Sequence, residues 1–370
     1  MALRKHKIVT IIGGGLSGLT SALLLNRAGF EVTLVEKKTY PFHRVCGEYI
    51  SNEIVPFLQT LDIKPSDFYA SSINRLAISS VSGETYSTGL DLGGFGISRY
   101  IFDEFLFLKA KTEGVNCIQG VKVNELTFRD NIFETLLADG TTLRSDFVVS
   151  AHGKRSNLDR QRSFFHHKSP YLGVKYHIKT DFPIDLVQLD NFEGGYCGTV
   201  KIEHDRYNLC YLSQTYLLKK HGTLNELEEE VLFKNPFLKE RFLNADFLNE
   251  KPEVINEISF EKKPLVENHI LYCGDAAGMI SPLCGNGMAM AIHSAKILSQ
   301  SIIEHCGNRQ ALEASYEIKW NNLFKNRLLI GRVSQQLFGS RSISKLAVKG
   351  LNMVPRLSQL IIKRTHGHPF

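Results

Sequence analysis

The first fifty residues hold the glycines and acids whose spacing could do chemistry. Gly13, Gly15 and Gly18 follow a GxGxxG spacing directly after an apolar run at residues 8–12. Such glycines permit a tight turn, a close approach of the backbone to a pyrophosphate, and close packing of a helix on a strand. Glu36 ends a second apolar run. Its carboxylate is placed to accept hydrogen bonds from an adenosine ribose, which favours FAD or NAD over NADP.

The elements around these residues form a predicted βαβ unit. Residues 8–12 are typical of a buried parallel strand, and apolar positions such as Leu19 and Leu23 then indicate a helix packed on it. The first N–H groups of that helix, around Leu16 and Ser17, have no partners within the helix. Because the helix dipole also favours negative charge there, we expect the phosphates of a dinucleotide at this end.

A loop rich in turn formers and reactive side chains follows the second strand. It contains Lys37, Arg44, Cys46, Gly47 and Glu48. A loop that leaves this strand lies near the bound cofactor, so Lys37 and Arg44 are expected to contact it and Cys46–Gly47 to approach its ring. We take Cys46 and Glu48 as catalytic candidates that shape the reaction site or supply a proton. The alternative for Cys46 is a small buried apolar side chain.

A second glycine-rich segment lies far along the chain. A strand at residues 269–273 leads into the Gly274–Asp275 turn, and Gly285, Gly287 and Met288 open a helix that runs to about residue 305. Asp275 suits the ribityl hydroxyls of a flavin. The N–H groups at the start of the helix could stabilise negative charge on a reduced flavin ring. A Gly–Asp turn before a helix is also common without any ligand.

The intervening sequence predicts a second, smaller domain. Alternating strands dominate the region after about residue 163, which suits a sheet that covers a substrate. The predicted division is a discontinuous cofactor domain at 1–70, 97–160 and 265–307, a substrate domain at 71–96 and 161–264, and a C-terminal helical segment at 308–370.

Composition excludes several classes of protein. No apolar run approaches the length needed to span a bilayer, and the run at 8–12 is too short for a signal peptide. Seven cysteines without a CxxC pair or a Cys/His cluster argue against a disulfide framework, a metal site and a redox-active dithiol. We therefore expect a cytoplasmic protein that binds one dinucleotide, no metal and no nucleic acid.

Charge is concentrated in the C-terminal segment. No acidic residue follows Glu317, whereas ten lysines and arginines do, and the first 317 residues carry 34 basic and 38 acidic side chains. Two interpretations stay open for residues 319–364. They form either a helical cap with a solvated basic face, or a peripheral contact with the inner face of an anionic membrane.

Three segments in this order resemble a known superfamily. They are Gly13-x-Gly15-x-x-Gly18 with Glu36; Ile97-Ser-Arg99-x-x-Phe-Asp103-x-x-Leu106; and Gly274-Asp275-Ala-Ala-Gly278 followed by Pro282, Gly285 and Gly287. The pattern is similar to the FAD-dependent superfamily of aromatic-ring hydroxylases, flavin halogenases and geranylgeranyl reductases. The run from Arg44 to Glu48 looks most like the geranylgeranyl-reductase branch, in which a Cys–Gly pair lies beside the flavin.

This resemblance implies a fold and a set of roles. The fold is mixed α/β: a Rossmann-type FAD-binding domain of the glutathione-reductase/p-hydroxybenzoate-hydroxylase type, with an inserted antiparallel substrate sheet and a C-terminal helical segment. The motif glycines and Glu36 would hold the ADP half of FAD, and Arg99 and the backbone of Val121 would contact the cofactor. Asp275 and Gly287 would hold its ribityl and ring portions, and Cys46 would line the reaction chamber.

Departures from the family patterns bear on the reaction. The hydroxylases' Asp–Gly motif appears as His152–Gly153, and the reductases' YxWxFP segment is replaced around residues 196–201. The halogenases' tryptophan-rich motif is missing, since Trp320 is the single tryptophan. Halogenation is therefore not expected.

Three functions are weighed on this basis. The first is reduction of a C=C bond in a hydrophobic, isoprenoid-like or polyketide-like substrate by hydride from reduced FAD. The second is an NAD(P)H- and O₂-dependent monooxygenase of an aromatic or polyketide ring, and the third is a non-catalytic FAD-stabilised binding protein. With one dinucleotide-binding unit, electrons are expected from transiently bound NAD(P)H or from a separate reductase or ferredoxin.

Overall fold

The order of strands and helices follows the hydrophobic pattern of the chain. A computed structural model describes residues 7–160, 162–166, 170–258, 260–279, 285–335, 338–365 and 367–370. Its strands are β1 (Ile8–Ile12), β2 (Glu31–Glu36), β3 (Tyr49–Ser51), β4 (Ser71–Ser79), β5 (Thr85–Gly96), β6 (Asn116–Gln119), β7 (Val123–Arg129), β8 (Ile132–Leu137), β9 (Thr142–Ser145), β10 (Phe147–Ser150), β11 (Tyr171–Lys179), β12 (Leu186–Phe192), β13 (Gly195–Lys201), β14 (Tyr207–Gln214), β15 (Asp246–Phe247), β16 (Glu253–Ile258), β17 (Val266–Glu267) and β18 (Ile270–Tyr272).

The helices cover the faces of the sheets and form the C-terminal segment. They are α1 (Leu16–Arg27), α2 (Val55–Thr60), α3 (Arg99–Thr112), α4 (Thr215–His221), α5 (Leu224–Glu230), α6 (Pro236–Asn244), α7 (Gly287–His305), α8 (Arg309–Gln335), α9 (Arg341–Met353) and α10 (Pro355–Thr365). Helix α3 begins at a Ser98 cap whose side chain accepts from the Ile101 N–H.

A mainly parallel sheet carries the predicted dinucleotide-binding unit. Its order is β17-β18-β10-β1-β2-β6, and only β17 runs antiparallel to its neighbour. Strand β1 lies between β10 and β2, where Val9 pairs with both Phe147 and Val32. Helices α1 and α7 pack together against this sheet through a continuous apolar core. The Rossmann-type core predicted from the sequence is confirmed.

A larger sheet forms the strand-rich insert. Its order is β15-β11-β14-β13-β12-β4-β5-β3, with β16 also paired to β11. Neighbours are antiparallel except β12 and β4, which are parallel. The strands at 71–79 and 85–96 join those at 171–214, although 74 residues separate the two groups. Strand β3 lies in the stretch expected to belong to the cofactor domain, yet Ile50 pairs with Phe95 of β5.

The two apolar faces of the larger sheet have different roles. One face packs under α4–α6 through side chains such as Val174, Tyr176, Leu209 and Tyr211. Because side chains alternate along a strand, their sequence neighbours point the other way, toward the parallel sheet. That second face is where the candidate site lies.

The C-terminal helices are attached to the larger sheet and to the residues that follow its strand β3. Arg327 of α8 donates to the buried Glu53 at 2.8 Å. The Gly339 carbonyl accepts from the Gly194 N–H in the β12–β13 turn, and α9 lies on β4 and β5. None of the helices in the described residues is long and apolar enough to cross a bilayer.

Candidate functional site

The glycines of the first turn lack side chains for two different structural reasons. Gly13 has a φ of 99°, and a Cβ there would overlap the Ala151 carbonyl of the neighbouring strand. A Cβ on Gly18 would overlap the carbonyl of Gly13, so the helix could not pack on the strand. Gly15 differs, because the nearest atom to a Cβ would be the Arg99 guanidinium at 3.6 Å. The missing side chain of Gly15 therefore leaves space outside the fold, at the start of α1.

Glu36 lies beside this turn as the sequence predicts. Its buried carboxylate accepts from the Gly14 N–H at 2.8 Å and from the Lys38 N–H at 3.0 Å. Arg44 donates to it at 3.2 Å. Carboxylate oxygens have about four acceptor positions, so capacity remains for ribose hydroxyls.

Two arginines flank one buried acid next to the turn. Arg99 donates to Asp103 through Nε at 2.6 Å and through a terminal nitrogen at 2.7 Å, and Arg44 donates to Asp103 at 2.9 Å. Asp103 thus fixes both guanidinium groups beside Gly15. Positive charge held close to the N-terminus of α1 favours a pyrophosphate there.

The late Gly–Asp turn meets the early glycine turn in space. Gly274 has a φ of 63° and lies so close to Ser17 of α1 that a Cβ would overlap the serine hydroxyl. Asp275 follows it, and the Lys263 ammonium donates to the Asp275 carbonyl at 3.0 Å. Burial lowers the pKa of Lys263 to about 8. The two turns are therefore neighbours across the N-terminal end of α1.

One cleft joins nearly all of the predicted cofactor residues. It has a cavity volume of about 690 Å³. The predicted residues that line it are Gly13, Gly15, Leu16, Ser17, Glu36, Lys37, Arg44, Arg99, Val121, Asp275, Gly285, Gly287 and Met288. Gly18 lies behind it as a packing residue, and the Val121 N–H is already donated to the Glu36 carbonyl. Pro282, part of the third motif, lies outside the described residues.

The cleft fits FAD by its size and donor set. Helices α1 and α7 both begin at it, and neither has an acidic residue in its first turn. The N–H groups and dipoles of both helices are therefore directed at the cleft without a competing carboxylate. Glu36 and the start of α7 both line the cleft. This set of hydrogen-bond donors and acceptors suits a dinucleotide with a flavin ring.

A small apolar chamber opens beside the cleft. It has a cavity volume of about 120 Å³ and is walled by the second face of the larger sheet, with Leu76, Leu90, Val187, Leu189, Tyr196, Val200, Cys210 and Leu212 among its lining residues. Six residues line both spaces: Val45, Cys46, Gly47, Tyr49, Lys154 and Gly285. The Cys46–Gly47 loop therefore lies at the junction of cleft and chamber.

Glu48, the second catalytic candidate, is the centre of a buried ionic cluster. Its Oε1 accepts from Lys175 Nζ at 2.7 Å and from the Arg99 N–H at 3.0 Å, and its Oε2 accepts from His177 Nε2 at 2.7 Å. Burial alone would raise the pKa of Glu48, but Lys175 and His177 outweigh that cost and lower it to about 2. The carboxylate is ionised at neutral pH, which favours a positioning role over the expected proton donation.

The same cluster holds the Cys46 loop in place. Asn208 of β14 donates to the Cys46 carbonyl at 3.2 Å, next to His177 on the neighbouring strand. Glu48 itself has a left-handed φ of 55°, a conformation that a non-glycine side chain adopts only when its surroundings fix it. The strands of the larger sheet thus fix the loop against the cofactor cleft.

Lys154 is a junction residue that belongs to none of the sequence motifs. It lines both the cleft and the chamber, and its ammonium donates to the Val45 carbonyl at 3.4 Å. It follows His152–Gly153, where His152 is held by Ser150 at 2.8 Å and by Asp159 at 3.0 Å. Its position directly after the His152–Gly153 pair is the one signal in the sequence.

The chain is similar to several known proteins. A tryptophan halogenase family model matches residues 8–82. The chain is 24% identical over 81% of its length to conditioned medium factor receptor 1 of Dictyostelium discoideum, and 22% identical over 82% to a tryptophan 2-halogenase of Chondromyces crocatus. It spans 64% and 62% of the lengths of these two relatives. It is also 21% identical to a digeranylgeranylglycerophospholipid reductase of Methanococcus vannielii, over 86% of this chain and 83% of that one.

Solved structures share the whole fold. The flavin-dependent brominase Bmp2 superposes with a TM-score of 0.79 at 17% identity, over 96% of this chain and 92% of that one. A geranylgeranyl bacteriochlorophyll reductase-like protein of Thermoplasma acidophilum gives 0.77 at 18% identity, over 97% and 92%.

The expected membership of the FAD-dependent oxidoreductase superfamily is thereby confirmed. Within it, the matches include both halogenases and geranylgeranyl-reductase-like proteins and do not distinguish between these branches.

Proposed function

We propose that this chain uses FAD to reduce a C=C bond in a hydrophobic, isoprenoid-like or polyketide-like substrate. The observation that carries the proposal is the apolar chamber, which opens onto the cofactor cleft at Cys46–Gly47. A chamber walled by leucine, valine and tyrosine side chains suits an apolar chain or ring. Its position beside the cleft would bring a double bond to the place where the Cys–Gly pair approaches the flavin.

The proposed chemistry divides between cofactor and protein. Reduced FAD, when bound, supplies a hydride that adds to one alkene carbon. The other carbon then needs a proton, and Lys154 is the group we assign to donate it, because its ammonium lies at the junction. Cys46 and Gly47 shape the wall, and the buried Glu48 cluster holds them in position. The apolar lining keeps bulk water away from the reacting double bond.

The electron donor is NAD(P)H or a separate reductase. Both nitrogens of His152, which replaces the acid of the hydroxylases' motif, are held by Ser150 and Asp159. This side chain is therefore occupied within the protein, which supports a donor that binds elsewhere and transiently. Mixing the oxidised holoenzyme with NADPH, with and without substrate, distinguishes direct reduction from reduction by a partner.

An oxygen-dependent reaction is the second candidate. The halogenase matches favour it, since the same fold can use O₂ to hydroxylate or halogenate an electron-rich ring. Halogenation would require halide as well as O₂, and the missing tryptophan-rich motif argues against halogenation.

One experiment separates these functions. Photoreduced holoenzyme is mixed anaerobically with a panel of polyprenyl and polyketide alkenes, and flavin reoxidation and product mass are followed. Reoxidation with a product two hydrogens heavier supports the proposal. Reoxidation only after O₂ is admitted, with oxygen or halogen in the product, would instead establish the second candidate. No reoxidation by any compound beyond the O₂ background would favour a non-catalytic FAD-stabilised protein.

A further inference from the structure

Helix α9 has apolar side chains on two opposite faces. Its inner face packs on β4 and β5, where Ser344 and Val348 are buried. Asn352 donates to the Thr85 carbonyl at 2.9 Å and so fixes the end of the helix. The outer face carries Ile343, Leu346 and Met353, which are 45%, 73% and 82% exposed. Packing within the chain explains the inner face and leaves the outer one unexplained.

The outer residues form one continuous stripe. Positions 343, 346, 350 and 353 are three or four residues apart, so they follow one another along a single side of a helix. Gly350 occupies the remaining position and adds no side chain. Val354, just beyond the helix, is 54% exposed and extends the stripe.

Basic side chains flank this stripe. Arg341, Lys345 and Lys349 lie on one flank of α9, and Lys363 and Arg364 follow on α10. Lys345 pairs with Glu84 at 2.8 Å, and Lys363 lies 3.9 Å from Asp91. Within the described residues no ion pair involves Arg341, Lys349 or Arg364. Cationic charge beside an apolar stripe is therefore left for an external anionic partner.

We propose that the outer face of α9 docks on an anionic lipid bilayer. An amphipathic helix binds such a surface by placing its apolar side at the level of the acyl boundary while lysines and arginines meet the lipid phosphates. Exposed methionine and leucine next to unpaired cations match that chemistry. The C-terminal segment adds no acidic residue after Glu317, and the neighbouring Glu84 and Asp91 face Lys345 and Lys363, so little net repulsion opposes docking.

The docking face and the chamber belong to one packed unit. Ile362 of α10 packs against a cluster that contains Tyr49, Leu90 and Val200. All three of these residues also line the apolar chamber. A bilayer at α9 would therefore lie on the side of the molecule where the chamber wall is formed. The inference concerns binding alone and stands whether or not the proposed reduction is correct.

The test is vesicle flotation with the full-length holoprotein. Vesicles of phosphatidylcholine alone are compared with vesicles that also contain phosphatidylglycerol. We expect binding to the anionic vesicles, and a fall of about tenfold or more in the partition coefficient for Leu346→Ser/Met353→Ser and for Arg341→Glu/Lys349→Glu. The matched controls are Ile184→Ser/Leu243→Ser, which remove exposed apolar side chains elsewhere, and Lys219→Glu/Lys239→Glu; both should bind like the wild type.

A second readout does not depend on loss of binding. The chain has one tryptophan, Trp320, which is buried, so the tryptophan introduced by Leu346→Trp reports on α9. Anionic vesicles should shift its emission to the blue, and brominated lipids should quench it. The proposal is overturned if the wild type does not bind anionic vesicles or if the controls lose as much binding as the α9 variants. It is also overturned if brominated lipids do not quench the introduced tryptophan. Self-association through α9 without vesicle binding would likewise overturn it.

Discussion

The Lys175 ammonium lies 2.7 Å from Glu48 Oε1, and both side chains are buried between the larger sheet and the cofactor cleft. Glu48 also accepts, through Oε1, from the N–H of Arg99 and, through its carbonyl, from the N–H of Ile97. One ion pair therefore ties a strand of the insert to the loop that carries Cys46 and to the start of α3. The geometry of the junction depends on this pair.

Removing one partner of the pair should destabilise the fold. Lys175→Met leaves the Glu48 carboxylate buried without its cation, and breaking a buried pair in this way costs about 3–5 kcal/mol. Urea unfolding of the wild type, Lys175→Met, Glu48→Gln and the double variant forms a complete cycle. We expect the double variant to recover part of the loss, and strictly additive effects would show that the two side chains do not interact.

Acid should remove the contribution of Glu48 to stability. The pKa of Glu48 is about 2 in the folded chain against an ordinary value of 4.5, so the unfolded state takes up the proton first as the pH falls. Its contribution, about 3 kcal/mol, is present above pH ~4.5 and is lost toward pH ~2. The wild type should therefore lose unfolding free energy more steeply than Glu48→Gln over this range. The exposed control Glu240→Gln should follow the wild type, and parallel curves for all three would refute the assignment.

Lys154 should govern the chemical step more than cofactor binding. Removal of a general acid typically lowers a rate by about a hundredfold or more. We expect Lys154→Met to lower kcat for alkene reduction to that extent while the affinity for FAD stays within about twofold. Lys122→Met, which removes a cleft cation away from the chamber, is the control. Equal effects of the two substitutions on kcat would contradict a role for Lys154 in proton transfer.

Gly18 should be required for folding rather than for binding. A Cβ at this position would overlap the Gly13 carbonyl, and helix α1 would have to move off β1. Gly18→Ala should therefore lower the thermal midpoint of the apoprotein or abolish soluble expression. Gly350→Ala, where a Cβ meets open space, should leave the midpoint unchanged or raise it. A Gly18→Ala apoprotein as stable as the wild type would contradict the packing argument.

The cofactor side of the site could be predicted because its signals are local. The turn between β1 and α1 requires glycine at three closely spaced positions, Gly13, Gly15 and Gly18. Glu36 ends the next strand of the same unit. The Gly274–Asp275 turn was predicted as a separate segment. Its contact with Ser17 follows from the parallel sheet order, since β18 and β1 both flank β10.

The junction could not be predicted in the same way. Lys175 and His177 alternate with apolar residues along β11, a pattern that is equally typical of a strand with one solvated face. Their burial depends on a loop more than a hundred residues earlier, which no spacing rule connects to β11. The positioning role of Glu48 could not be predicted for the same reason, because the nearby Lys175 ammonium and His177 imidazole determine its ionisation.

The measurement that tests the account most directly is titration of the apoprotein with FAD, followed by flavin fluorescence and absorbance. We predict a tight complex of one FAD per chain. We also predict that Gly15→Ala, whose Cβ would meet only the Arg99 side chain at 3.6 Å, keeps a wild-type thermal midpoint as apoprotein but loses most of its affinity for FAD. Apoprotein that is folded yet takes up no FAD would contradict the account, as would a Gly15→Ala variant that binds FAD like the wild type.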